Sequence, residues 1–123
     1  MLNLKKCSKC GALVEVLTNC KCNNCEFSCC NEKMIDVKAN SVDASFEKHK
    51  PQVTIIGNFI EVVVPHVMED NHYIEWIALV TNNTISKQHF KPGDTAKTKF
   101  HYHKGSKVYA YCNLHSLWET DVD

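Results

Sequence analysis

The chain has 123 residues, and Lys+Arg and Asp+Glu both total 14, so no global charge field exists to recruit nucleic acid or an anionic membrane. No apolar run reaches the length of a membrane span, and the start, Met1-Leu2-Asn3-Leu4-Lys5-Lys6, lacks the apolar core of an export signal. The chain is therefore expected to be cytoplasmic, built as one ordinary domain or as a small domain joined to a module that needs a staple.

Eight cysteines demand an explanation other than extracellular disulfides, and seven of them fall within the first 30 residues. That asymmetry divides the chain into a cysteine-rich head, 1–37, and a globular body, 38–123. Cys7-Ser8-Lys9-Cys10-Gly11 is a metal knuckle: two thiolates with two residues between them grip one ion while glycine turns the backbone tightly beneath. A short apolar strand follows over 12–17, and then come Cys20, Cys22, Cys25, Cys29 and Cys30. Four thiolates around one ion imply tetrahedral zinc or iron, and a segment with so few apolar side chains would draw much of its stability from that metal. The second pair could be Cys22-Asn23-Asn24-Cys25, as in zinc ribbons, or the adjacent Cys29-Cys30 if the backbone bends sharply there.

A polar linker, 38–45, leads to a body that reads as β throughout. Val53-Thr54-Ile55-Ile56 and 59–64 flank Gly57-Asn58, a two-residue hairpin signal. The run 73–80 predicts a strand with Ile74, Trp76, Ala78 and Val80 on one face. Thr81-Asn82-Asn83-Thr84 predicts a turn, 85–90 a short strand, and Lys91-Pro92-Gly93-Asp94 another turn. The stretches 95–103 and 107–112 are expected to pair around Lys104-Gly105-Ser106. Short strands with regular turn punctuation and no long helical pattern predict a mainly β chain whose body is an antiparallel, immunoglobulin-like sandwich.

The body's chemistry gathers in a few residues. Cys112 and His115, three positions apart at the end of a strand-like stretch, form half of a transition-metal site: thiolate is a soft, strong donor, and imidazole suits iron, copper, zinc and nickel. Upstream lie His49 in Glu47-Lys48-His49-Lys50-Pro51, and His66 and His72 in His66-Val67-Met68-Glu69-Asp70-Asn71-His72. His89, His101 and His103 read as surface or satisfied histidines. Trp76 and Trp118 read as packing, and Met68 as core.

Taken in order, Glu47-Lys48-His49-x-Pro51, His66-x-Met68-x3-His72-Tyr73-Ile74-Glu75-Trp76-Ile77, Lys91-Pro92-Gly93-Asp94 and Cys112-Asn113-Leu114-His115-x-Leu117-Trp118 resemble superoxide reductase. The head, from Cys7-x2-Cys10-Gly11 through Cys29-Cys30-x-Glu32-x-Met34, resembles the desulforedoxin-like domain of the two-iron members, the desulfoferrodoxins. The resemblance implies a catalytic iron held by His49, His66, His72 and His115 equatorially, with Cys112 axial and a sixth position open to a small oxidant. It implies one-electron reduction of superoxide to hydrogen peroxide, with Lys48 attracting the anion and Glu47 ligating the oxidised iron. It also implies re-reduction by rubredoxin or a similar small carrier, a homodimer, and a second iron (or zinc) on Cys7, Cys10, Cys29 and Cys30. A unit-charge pair at about 4 Å is worth roughly 1 kcal/mol in water and about 4 kcal/mol at an effective dielectric of 20, so one lysine suffices for steering without net charge.

The sequence departs from the family pattern at Val67, where proline is usual, at Ser116, where glycine is usual, and in the additional Cys20, Cys22 and Cys25. Two other readings compete. A blue-copper electron carrier would also use Cys112 and His115, although no methionine follows His115 to serve as its weak axial ligand. A zinc-stapled binding module would account for the head alone.

Overall fold

The computed structural model describes residues 2–123, the side chain of Glu47 excepted. The chain divides into two compact units, Met1–Lys38 and Ala39–Asp123. The first holds five short strands: β1 (Leu4–Lys6), β2 (Leu13–Glu15), β3 (Ser28–Cys29), β4 (Glu32–Lys33) and β5 (Ile35–Asp36). β1 pairs antiparallel with both β2 and β5, and β3 pairs with β4. Among the described residues, its buried apolar side chains are Leu4, Cys7 and Met34. Burying a side chain of that size contributes about 1.5–3 kcal/mol, whereas ordering each residue's backbone costs about 1–2 kcal/mol. A core this small leaves the unit dependent on a cross-link.

The second unit begins with a single helical turn, α1 (Phe46–His49), which stops just before Pro51. Seven strands follow: β6 (Gln52–Ile56), β7 (Phe59–Val63), β8 (Ile74–Val80), β9 (Ile85–His89), β10 (Lys97–His101), β11 (Lys107–Cys112) and β12 (Ser116–Asp121). They form a three-stranded sheet, β10-β7-β6, and a four-stranded sheet, β12-β11-β8-β9, with every pairing antiparallel. One apolar core lies between them, drawing Ile60 and Val62 from β7, Ile74, Ile77 and Leu79 from β8, and Val108, Ala110 and Cys112 from β11. The β-sandwich expected from the turn spacing is the fold. Gly57, at φ 61, takes the first loop position of the β6–β7 hairpin, where the two-residue connection requires a backbone that glycine adopts without strain.

Two local expectations need correction. The stretches carrying β10 and β11 do not pair with each other: β10 lies along β7, from Lys97 opposite Val63 to His101 opposite Phe59. Both edges of β11 are already taken, by β8 and β12, so none is left for β10. The Lys104-Gly105-Ser106 turn instead carries the chain from one sheet to the other. It is held by the Gly105 N–H donating to Val122 O (3.0 Å) and the buried Ser106 hydroxyl donating to His103 O (2.6 Å).

The second correction concerns β8. Trp76, Ala78 and Val80 share a face opposite Tyr111, Tyr109 and Lys107, but Ile74 joins Ile77 and Leu79 in the core. Tyr111 pairs with Trp76 while Cys112 pairs with Ile74, so Glu75 is the extra residue of a bulge that reverses the side-chain phase. The bulge sets Ile74 opposite Cys112, one of the residues of the site described next.

Candidate metal centre

Five side chains from three segments converge at one end of the sandwich. His49 closes α1, His66 and His72 lie in the connection between β7 and β8, and Cys112 and His115 flank the β11–β12 turn. The ligating atoms of all five lie within 4.8 Å of one another. The four imidazoles form a closed ring of neighbours, with centroids 4.7 Å apart for His49–His66, 4.5 Å for His66–His72, 5.0 Å for His72–His115 and 4.8 Å for His115–His49. Each pair meets edge to face, at interplanar angles of 69° to 90°. The Cys112 sulfur lies 3.5 Å from His66 Nε2 and 3.9 Å from His115 Nδ1.

Backbone contacts orient each donor. His49 Nδ1 is 2.7 Å from Ser45 O; a carbonyl only accepts, so Nδ1 carries the proton and Nε2 turns its lone pair inward. His66 Nδ1 contacts Val67 O in the same manner, leaving its Nε2 for the centre. The His66 N–H donates to Val64 O across Pro65 (2.8 Å), a tight turn that fixes where this ligand leaves β7. His72 is held by a reciprocal pair of backbone bonds with Glu69 (3.0 and 3.2 Å). The Cys112 sulfur accepts the His115 N–H at 3.4 Å. Trp118 stacks on His49 at 5.0 Å and 26°, and its indole N–H donates to His115 O at 2.9 Å, so this tryptophan supports two ligands from behind.

This arrangement fits a bound cation. His72 Nε2 is buried with no hydrogen-bond partner, a costly state for a polar atom unless it serves as a ligand. His49 Nε2 faces His66 Nε2 at 3.2 Å and His115 Nδ1 at 3.0 Å, which crowds nitrogen lone pairs that a metal ion would satisfy together. Desolvation by burial, more than any neighbouring charge, pushes the His49 and His66 imidazoles below their ordinary range and keeps them in the neutral, ligating form. Among the other sequence candidates, Lys48 is exposed on α1, next to His49. Glu47 shares that turn, but its side chain lies outside the described residues. Met68 packs against the core, and its sulfur accepts the Ile74 N–H at 3.4 Å.

Asn113 is the residue to which sequence reasoning gave no role. Its side-chain oxygen accepts the Tyr73 N–H and its amide donates to Asn71 O, both at 2.9 Å. This clamp ties the Cys112–His115 turn to the His72 loop, and its only sequence signal is an asparagine placed between two ligands. Ser116 is the weak point of the same turn. It sits at φ 66, in the left-handed region that disfavours L-residues by roughly 1–2 kcal/mol. Part of that strain is offset because glycine would lose more backbone entropy on folding. Ser116→Gly is therefore expected to stabilise the chain by roughly 0.5–1 kcal/mol, read as a rise of a few degrees in the thermal midpoint, with the metal content unaltered.

In the first unit, the sulfurs of Cys7, Cys10, Cys29 and Cys30 also lie within 4.8 Å of one another. Gly11, at φ 79, donates its N–H to Cys7 O (3.0 Å), and the Cys7 sulfur accepts the Cys10 N–H (3.4 Å). The adjacent pair is brought together by the β3–β4 hairpin, whose two loop residues, Cys30 at φ 53 and Asn31 at φ 61, both adopt the positive φ of a type I′ turn. The Cys10 N–H bond lowers the Cys7 thiol to about 7, whereas hydrogen bonding to Cys10 and Cys7 raises Cys29 to about 12. Four thiolates this close repel unless a cation lies among them, so the group fits a metal. Cys22-x2-Cys25 makes no second knuckle with Cys7 and Cys10: Cys25 is disulfide-bonded to Cys20.

Comparison with known proteins places this geometry in context. The family model described as desulfoferrodoxin matches residues 41–121. A desulfoferrodoxin from Syntrophotalea carbinolica is 40% identical, the match covering 98% of this chain and 96% of that protein. One from Clostridium acetobutylicum is 41% identical over 81% of this chain and 82% of its own length. The crystal structure of the superoxide reductase from Treponema pallidum superposes with a TM-score of 0.71 at 25% identity, covering 98% of each chain.

Proposed function

The chain belongs to the desulfoferrodoxin family, and from that premise we propose that it is a superoxide reductase, an oxidoreductase that takes superoxide to hydrogen peroxide by one electron and two protons. The observation that carries the reading is the convergence of four imidazoles and one thiol within 4.8 Å, with His72 Nε2 buried and otherwise unpartnered. In this reading His49, His66, His72, His115 and Cys112 would together hold one iron ion. When bound, iron would supply the one-electron ferrous/ferric couple. The Cys112 thiolate would push electron density toward the metal it holds, as thiolate ligation does in haem proteins. Ser45, Val67 and Trp118 hold the His49 and His66 imidazoles in place. Lys48, exposed beside His49, would draw in the anion, and Glu47 would be a further ligand to the metal.

Two competing readings lose ground on particular contacts. A blue-copper centre uses two histidines, one cysteine and a weak axial methionine. Here four histidines converge, and the Met68 sulfur is engaged by the Ile74 N–H. A zinc-stapled binding module leaves the buried His72 nitrogen without a purpose.

The first unit serves, in this proposal, as a desulforedoxin-like domain in which Cys7, Cys10, Cys29 and Cys30 hold a second iron, or zinc. A rubredoxin-like carrier in the cytoplasm returns the electron. The formal charge is balanced, and no helix among the described residues is long and apolar enough to cross a membrane. A homodimer is part of this proposal, and the exposed Ile55, Ile56, Phe59 and Ile85 are apolar side chains that it would have available to cover.

Anaerobic metal quantitation with a visible spectrum tests the reading. Two irons per chain and a thiolate-to-iron charge-transfer band are expected; copper in the second unit, or zinc in the first unit alone, would sink it. Lys48→Ala should slow the second-order reaction with superoxide roughly tenfold at low salt, as loss of electrostatic steering does. It should also flatten the salt dependence and leave the metal content unchanged. An unaltered rate would remove Lys48 from the account.

A further inference from the structure

The loop between β2 and β3 carries three sulfurs outside both candidate metal centres. Cys20 and Cys25 are joined in a disulfide, and Cys22 is an exposed free thiol. The three sulfurs lie within 4.8 Å of one another. The loop is tied down independently of the bridge: Asn3 Nδ2 donates to Asn19 Oδ1 (2.9 Å) on one side, and the Met34 N–H donates to Phe27 O (2.7 Å) on the other. A buried staple would be inert, but this pair begins at an exposed residue and has a thiol beside it, the setting in which disulfides form, break and exchange readily. The oxidised pair is also a poor cation site, because disulfide sulfurs carry no thiolate charge and Cys22 alone could ligate.

We propose that Cys20, Cys22 and Cys25 form a peroxide-consuming dithiol–disulfide couple, separate from both metal centres. The thiolate of one cysteine of the Cys20/Cys25 pair attacks a peroxide oxygen: the S–O bond forms, the O–O bond breaks, and water leaves after protonation. The second thiol then attacks the sulfenic sulfur, forming the S–S bond and releasing another water. Two thiols and one hydrogen peroxide thus give one disulfide and two waters, the sulfurs losing two electrons and the peroxide oxygens gaining them. An external dithiol reductant reverses the bridge by exchange, and the Cys22 thiol can open it from within. Peroxide is the product of the activity proposed above, so its local supply, though not the chemistry of the couple, rests on that reading.

The test uses the full metal-loaded chain, reduced and kept anaerobic, with hydrogen peroxide added directly and the thiols of the 20–25 loop counted by alkylation and mass spectrometry. Before addition all three thiols should take the label. After one equivalent of peroxide two labels should be lost, with the bridge mapped to Cys20–Cys25 and reversed by dithiothreitol. A Cys22→Ser chain should form the same bridge. Labels unchanged by peroxide would overturn the proposal, as would a third metal equivalent shielding the reduced thiols from alkylation. Because peroxide is supplied directly, a chain that bridges but fails to reduce superoxide refutes only the activity, and one that reduces superoxide without bridging refutes only the couple.

Discussion

Replacing Cys112 with serine is expected to abolish the visible thiolate-to-iron band and to lower superoxide reduction by more than roughly 100-fold, since partners one shell further out already cost about 10–100-fold when lost. The Cys112 side chain is fully buried in the sandwich core, and its sulfur is the one soft donor among four imidazoles. Serine nearly preserves the volume and can accept the His115 N–H that the sulfur now accepts at 3.4 Å. The fold should survive at a cost of about 1–3 kcal/mol for a buried hydroxyl, separating loss of electronic push from loss of structure. Unchanged near-ultraviolet dichroism beside a vanished band is the expected pairing. A surviving band would take Cys112 out of the coordination sphere.

The second large effect is expected in the first unit. Cys7→Ser should empty the Cys7, Cys10, Cys29 and Cys30 site and melt its strands, while the five-ligand centre of the second unit keeps its metal. Cys7 is one of the unit's few buried side chains and accepts the Cys10 N–H that closes the knuckle. With Leu4 and Met34 as the remaining core, metal binding, on the order of 10 kcal/mol for small thiolate sites, is the term that balances chain entropy. Amide hydrogen exchange over β1, β2 and β5 should accelerate toward unfolded rates, and metal analysis should fall by one ion per chain. Intact protection of those strands would show that the unit folds without its metal.

Much of this molecule is legible in its sequence, because much of its order is local. Gly57-Asn58 announces a hairpin by turn chemistry, and Lys91-Pro92-Gly93-Asp94 announces a turn in which Asp94 accepts the Lys91 N–H at 2.9 Å. The convergence of the histidines follows from a recognised order of motifs rather than from any spacing, since His49 and His115 meet across 66 positions. What the sequence conceals is set by partners. The bulge at Glu75 exists only relative to β11, and shifting phase there moves Ile74 into the core without altering the composition of the run. Strand β12 lay hidden because its first residues read as a ligand motif. The choice of β7 over β11 as the neighbour of β10 depends on which strand edges are already occupied. The Cys20–Cys25 bridge was concealed because seven closely spaced cysteines allow many pairings.

The central claim, that this chain reduces superoxide rather than dismutating it, is tested most directly by product stoichiometry. Iron-loaded, pre-reduced protein is mixed anaerobically with superoxide, and hydrogen peroxide and dioxygen are measured together. One hydrogen peroxide for each superoxide consumed, with no dioxygen evolved, is the predicted result; one peroxide for every two superoxides, accompanied by dioxygen, would contradict it.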